Sequence, residues 1–115
     1  MSSEVIVIRV EQDWVEVSGA DATEFLNNLL SAELLDLQNG EGAHSLLLQP
    51  NGKLDVDMRI FRVGDSWWCE TESGFGGQLE QSLRRLLIRV DVQLAQLDFV
   101  GTYVVGENLV EVLEK

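Results

Sequence analysis

Apolar and polar residues alternate most cleanly between positions 54 and 60, where Leu54, Val56, Met58 and Ile60 are separated by Asp55, Asp57 and Arg59. Period two with one apolar side predicts a strand with one buried face. Gly64-Asp65 predicts a tight turn after it, and Trp67 to Thr71 predicts its hairpin partner. Upstream, the β-branched run Val5-Ile6-Val7-Ile8-Arg9-Val10 and the alternating Trp14-Val15-Glu16-Val17 predict two strands. The polar break Glu11-Gln12-Asp13 would join them as a hairpin. Ala43 to Gln49 adds a short apolar strand, closed by the turn Pro50-Asn51-Gly52. Later in the chain Val90, Val92 and Leu94 alternate as a strand, with Leu97 expected on the same apolar side, and Val100 to Val105 predicts one more.

Elsewhere the period changes from two to that of a helix. Phe25, Leu26, Leu29 and Leu30 form one apolar stripe, predicting a helix that runs to about Leu35. Ser18 or Asp21 can cap it, and Glu24, three places after Asp21, completes a variant of the capping box. Phe75, Leu79, Leu83, Leu86, Leu87 and Val90 hold helical spacing for a second helix, whose first turn Gly76-Gly77 should weaken. Glu107 to Glu114 predicts a short amphipathic helix. The order ββαβββαβ plus this appendix predicts an α+β fold: an antiparallel sheet with two helices on one side. No repeat, low-complexity tract or linker interrupts it, so residues 1–115 are read as a single domain.

Composition narrows the classes. With 115 residues, 45% of them apolar, the chain suits one core of ordinary size. A formal net charge of −12 repels phosphate backbones and argues against nucleic acid as a partner. No apolar run approaches the ~18 residues of a membrane span, and Met1-Ser2-Ser3-Glu4 lacks the basic start of a secretion signal. The one cysteine, Cys69, permits no internal disulfide, which suits a reducing cytoplasm. The charge is also uneven. Between positions 53 and 89 six basic residues (Lys53, Arg59, Arg62, Arg84, Arg85, Arg89) cancel six acids, so the flanks carry the whole excess. The neutral middle is the stretch compatible with an anionic ligand or a partner.

Candidate chemistry is sparse. His44 is the only histidine, so no site with two histidines can form, and a cysteine-based metal site is equally closed. His44 reads first as a loop or edge residue, and Cys69 as a buried structural thiol on the same side of its strand as Trp67. Asp55 and Asp57, two apart on a strand, should share a face and could share a proton or orient an amine. Trp67-Trp68 places one indole on each face of a strand: one for the core, the other for stacking on a flat heterocycle or for a subunit interface. Arg84, Arg85 and Arg89 either neutralise neighbouring acids or anchor a ligand carboxylate.

Several segments together carry a resemblance. Val17-Ser18-Gly19-Ala20-Asp21-Ala22 through Phe25-Leu26 resembles the G-x-D-A-x-x-F-L opening of the folate-binding aminomethyltransferase-like superfamily. The likeness continues through Asn39-Gly40 and Pro50-Asn51-Gly52-Lys53 to Met58-Arg59-Ile60-Phe61-Arg62-Val63-Gly64-Asp65, and spans about 14–98. That superfamily includes the glycine-cleavage T-protein and the YgfZ-type tetrahydrofolate-binding proteins, and the second stretch looks more like the YgfZ branch. The resemblance implies one repeat of a duplicated domain, its N-terminal half only, with residues 99–115 as a strand-helix appendix resembling the start of a second repeat. It implies a homodimer that rebuilds the pseudo-symmetric domain, and a possible place in one-carbon or iron–sulfur maintenance.

For the ligand, tetrahydrofolate, the resemblance implies a cleft near the hairpins at 46–63. Asp57 would meet the pterin edge, Lys53 or Arg59 the glutamate tail, and Trp67 is the indole singled out for stacking. No metal is implied. The T-protein's Asp-Asp pair is Val56-Asp57 here, and its F-L-Q-G-Q is Phe25-Leu26-Asn27-Asn28-Leu29. With those catalytic motifs incomplete, the expected protein binds rather than catalyses. The alternative is a subunit-type interaction protein that kept the fold and binds no folate.

Overall fold

A computed structural model of the chain describes residues 5–9, 12–97, 103–105 and 108–113, with side chains described over 12–97. In chain order the elements are β1 (Val5–Arg9), β2 (Asp13–Ser18), α1 (Ala22–Leu29), β3 (Gly42–Leu48), β4 (Leu54–Val63), β5 (Ser66–Thr71), α2 (Gly76–Arg84), β6 (Gln93–Leu97), β7 (Tyr103–Val105) and β8 (Asn108–Leu113). Five strands form an antiparallel sheet in the order β3-β4-β5-β2-β6, and three form a smaller sheet in the order β1-β8-β7.

The core lies between the large sheet and both helices. Val15 and Val17 of β2, Val56, Met58 and Ile60 of β4, and Trp67 and Cys69 of β5 face Phe25 and Leu26 of α1 and Leu79 and Leu83 of α2 in one buried cluster. Each fully buried Leu there contributes roughly 1.5–3 kcal/mol. The registers Val15↔Cys69, Ile60↔Cys69 and Val17↔Trp67 stack these residues across three strands on one side. The alternation in β4 thus does what period two requires. Gly64, with φ 62°, takes the first central position of the two-residue β4–β5 turn, where a side chain is disfavoured.

Several expectations are corrected. The β1–β2 hairpin does not form: β1 runs parallel to β8, while β2 is flanked by β5 and β6. The appendix helix over 107–114 is instead strand β8, because the β-branched run of β1 offers a ladder that a lone amphipathic helix lacks. The expected strand over 100–105 is described only as Tyr103–Val105; residues 98–102 lie outside the described residues.

Helix α1 stops at Leu29 rather than Leu35. The chain there turns to bridge Leu30 with Leu47 of β3, and the Asn27 side chain accepts the Leu34 N–H at 2.9 Å. No side-chain cap forms on α1; the Asp21 carboxylate accepts from the Asp91 N–H at 2.7 Å instead. Helix α2 stops at Arg84, and Arg89 adopts a left-handed φ of 54°, incompatible with continuing it to Val90. The following strand starts at Gln93, and Leu97 pairs with Trp14 on the side opposite Leu94, which pairs with Val17.

Candidate functional site

Among the described residues both helices pack on one side of the large sheet, so the other side is the place to look. Two cross-strand rows run along it. One is Gly42, Phe61, Trp68, Glu16 and Ala95; the next is His44, Arg59, Glu70, Trp14 and Leu97. Towards β2 and β5 this side is closed: Trp14, Phe61, Trp68 and Glu70 are all buried. Trp68 is only 6% exposed and its ring N–H reaches Glu16 Oε2 at 3.2 Å, so it is not the free indole expected for stacking or for a subunit interface.

Towards β3 and β4 the same side is open and polar. His44 pairs in register with Arg59, and Asp57 with Leu46, which makes His44 and Asp57 diagonal neighbours across the two strands. His44 Nε2 lies 2.5 Å from Asp57 Oδ1, and both side chains are about 60% exposed (62% and 59%). Asp57 is fixed from the other side, where the Thr71 hydroxyl donates to its carbonyl oxygen at 3.0 Å. Arg59 stands over the Phe61 ring, 5.1 Å from its centroid, with Nη1 3.5 Å from the buried Glu70 carboxylate. The ion pair and the ring together orient its guanidinium along the sheet. The resulting cluster offers an imidazole–carboxylate pair and a guanidinium on one rigid ladder, able to hydrogen-bond a polar heterocycle's edge and to meet an anion beside it.

Of the expected site residues, the structure brings Asp57 and Arg59 together on this open end. Lys53 is exposed in the β3–β4 turn, where its N–H is held by Asn51 Oδ1 at 3.0 Å. Trp67 lies on the opposite side of the sheet, in the core, donating its ring N–H to Thr23 Oγ1 at 2.9 Å. The Asp55–Asp57 pair is split: Gln78 of α2 donates to Asp55 Oδ1 at 2.8 Å, while Asp57 goes to His44. His44 was legible as an edge residue, but its partnership with Asp57 follows from strand register, which the sequence does not spell out. Among the described residues no cluster of three or more His, Cys, Asp or Glu is placed to hold a metal ion. Cys69 is buried, and that burial pushes its thiol up to about 12. Among the described residues no helix is long and apolar enough to cross a membrane.

A five-stranded antiparallel sheet with both helices on one side and a polar cluster on the other defines an α+β domain of a known kind. The structure matches the crystal structure of the glycine cleavage system aminomethyltransferase T from Bartonella henselae with a TM-score of 0.71, over 82% of this chain, at 19% identity. The likeness is one of fold, and it spans 26% of that chain's length. No family model and no curated protein matches the sequence.

Proposed function

We propose that this chain is a folate-binding-like domain of the aminomethyltransferase fold, non-catalytic and acting as a homodimer, whose ligand face is the open end of the β3–β4 ladder. The observation that carries this reading is the His44–Asp57–Arg59 cluster, polar and exposed beside the buried Trp14, Phe61, Trp68 and Glu70. In this reading Asp57 accepts from the amine edge of a reduced pterin such as tetrahydrofolate. His44 holds the carboxylate in place, and Arg59 or Lys53 meets the acidic tail. The pairing of one carboxylate with one imidazole, without the T-protein's second aspartate, supports binding over aminomethyl transfer. Buried Cys69, the one cysteine, suits a reducing compartment, and the cytoplasm is the proposed location.

The homodimer draws support from two features. Leu48, Leu54 and Ile88 are large apolar residues that are about half exposed or more (47%, 53% and 72%). Strand β6 also pairs on one side only among the described strands. Sedimentation at micromolar concentration tests it: a two-fold assembly is expected, and a clean monomer contradicts it. A second reading, a subunit-type interaction protein that binds no folate, is favoured by the Trp14–Phe61–Trp68 filling of the adjoining half of that face. Calorimetry with tetrahydrofolate separates the two. Saturable heat supports the first, and none up to millimolar ligand supports the second.

A further inference from the structure

A recess lies away from the His44–Asp57–Arg59 cluster, between the β3–β4 turn and the end of α2. Its volume is about 620 Å³, within the range of small-molecule sites. Leu48, Pro50 and Leu86 give it apolar walls, and Gln49, Asp55, Ser82 and Arg85 are the polar residues that line it. Leu48 and Leu86 are both more than 40% exposed (47% and 41%), so the walls are bare rather than packed against the chain.

Arg84 and Arg85, at the end of this helix, have different roles. Arg84 is engaged, its Nη2 2.6 Å from Glu80 Oε2 one turn back. Arg85, by contrast, forms no ion pair among the described residues. Its Nη2 donates to the Ser82 hydroxyl at 3.2 Å, and Ser82 itself is only 4% exposed. A guanidinium held by a buried hydroxyl at the edge of the recess, and in no ion pair among the described residues, is a fork able to take an anion. Its position just past the end of α2 favours a cation there but consumes none of its donors. Asp55 lines the same recess with one carboxylate oxygen taken by Gln78, and its remaining charge opposes a ligand carrying more than one negative charge.

We propose that this recess binds a small monoanionic carboxylate with an apolar body, the carboxylate on Arg85 and the body against Leu48, Pro50 and Leu86. Leu47, Leu48, Gln49, Pro50 and Asp55 of its lining fall in the 46–63 stretch where the folate cleft is expected, but none of His44, Asp57 and Arg59 lines it, so the proposal does not rest on the folate-type reading.

Decanoate serves as the probe, titrated into isotope-labelled protein and followed by amide shifts and calorimetry, with decyl phosphate as the comparison. Saturating shifts at Leu48, Ser82 and Leu86 are expected, with decanoate binding more tightly than decyl phosphate. Arg85→Gln should weaken decanoate about tenfold or more, Arg85→Lys less, and Asp55→Asn should narrow the gap between the two probes. Circular dichroism checks that each variant is folded; the shift map of the unaltered protein stands in should Arg85→Gln fail to fold. No saturating shift, shifts confined to other residues, or unchanged affinity in folded Arg85→Gln overturns the proposal. Failure to bind tetrahydrofolate leaves this result standing.

Discussion

Replacing Asp13 by alanine should destabilise the protein through a helix that lies 63 residues further along the chain. Asp13 opens β2, and its Oδ2 accepts the N–H of Gly74 at 3.0 Å and that of Gly76 at 2.9 Å. Residues at the start of α2 supply no side-chain cap of their own, so this carboxylate stands in for one. It also brings negative charge to the positive end of the helix. Loss of a cap costs typically ~1 kcal/mol, and loss of the charge at a partly buried helix start adds roughly 0.3–1 kcal/mol. Leaving the buried Gly76 N–H short of its acceptor brings the expected total to about 2 kcal/mol. For a chain of this size that corresponds to a fall in Tm of about 8 °C. Asp13→Asn, which keeps an acceptor and drops the charge, should lose about half as much. Thermal unfolding followed by circular dichroism measures both. An unchanged Tm in Asp13→Ala, or equal losses in the two variants, would refute the argument. The same contact explains Gly76: a Cβ there would stand 2.8 Å from the Asp13 Cβ, so Gly76→Ala should destabilise despite alanine's better helix propensity.

Three further outcomes follow from other parts of the structure. Cys69, buried and with its thiol pushed up to about 12, should resist a thiol-specific reagent in the native protein and react fully once it is unfolded; rapid native labelling would contradict its placement. Trp67→Phe removes the bond to Thr23 and part of the core, and should cost about 2 kcal/mol in denaturant titrations. Because Trp67 faces the helices, that variant should keep its affinity for any ligand of the opposite side of the sheet. The Glu80 carboxyl is held below the usual carboxylate range by the Gln96 hydrogen bond first and by Arg84 second. A carboxyl lowered in the folded state stabilises it above the unfolded value of about 4.5. The advantage of the unaltered protein over Glu80→Gln should therefore shrink as pH falls through that region, and a gap that widened instead would reverse the assignment.

Local pattern made the large sheet legible but left its partners open. The alternation over Leu54 to Ile60 identified β4 and its buried side, because a strand covered on one face by helices records that burial at every second residue. Leu109, Val110, Val112 and Leu113 fit a strand as readily as a helix, and the ladders with β7 and with β1, the latter more than a hundred residues away, decide between them. The same distance hid the fate of β1 itself, which a local reading assigns to a hairpin. At α2, Leu86 and Leu87 continue the apolar spacing past the point where the helix ends, since tertiary packing rather than periodicity sets that boundary. In the site, Asp57 and Arg59 were readable from the β4 pattern. Their meeting with His44 and Glu70 depends on register across three strands, which residue types alone do not fix.

Calorimetry of tetrahydrofolate binding, run in parallel on the unaltered protein and on Asp57→Asn, decides whether the open β3–β4 face is a ligand site. Saturable binding at a single site per chain is expected, weakened about tenfold or more in Asp57→Asn with Tm preserved. Absence of heat up to millimolar ligand, or equal affinity in the two proteins, would contradict it.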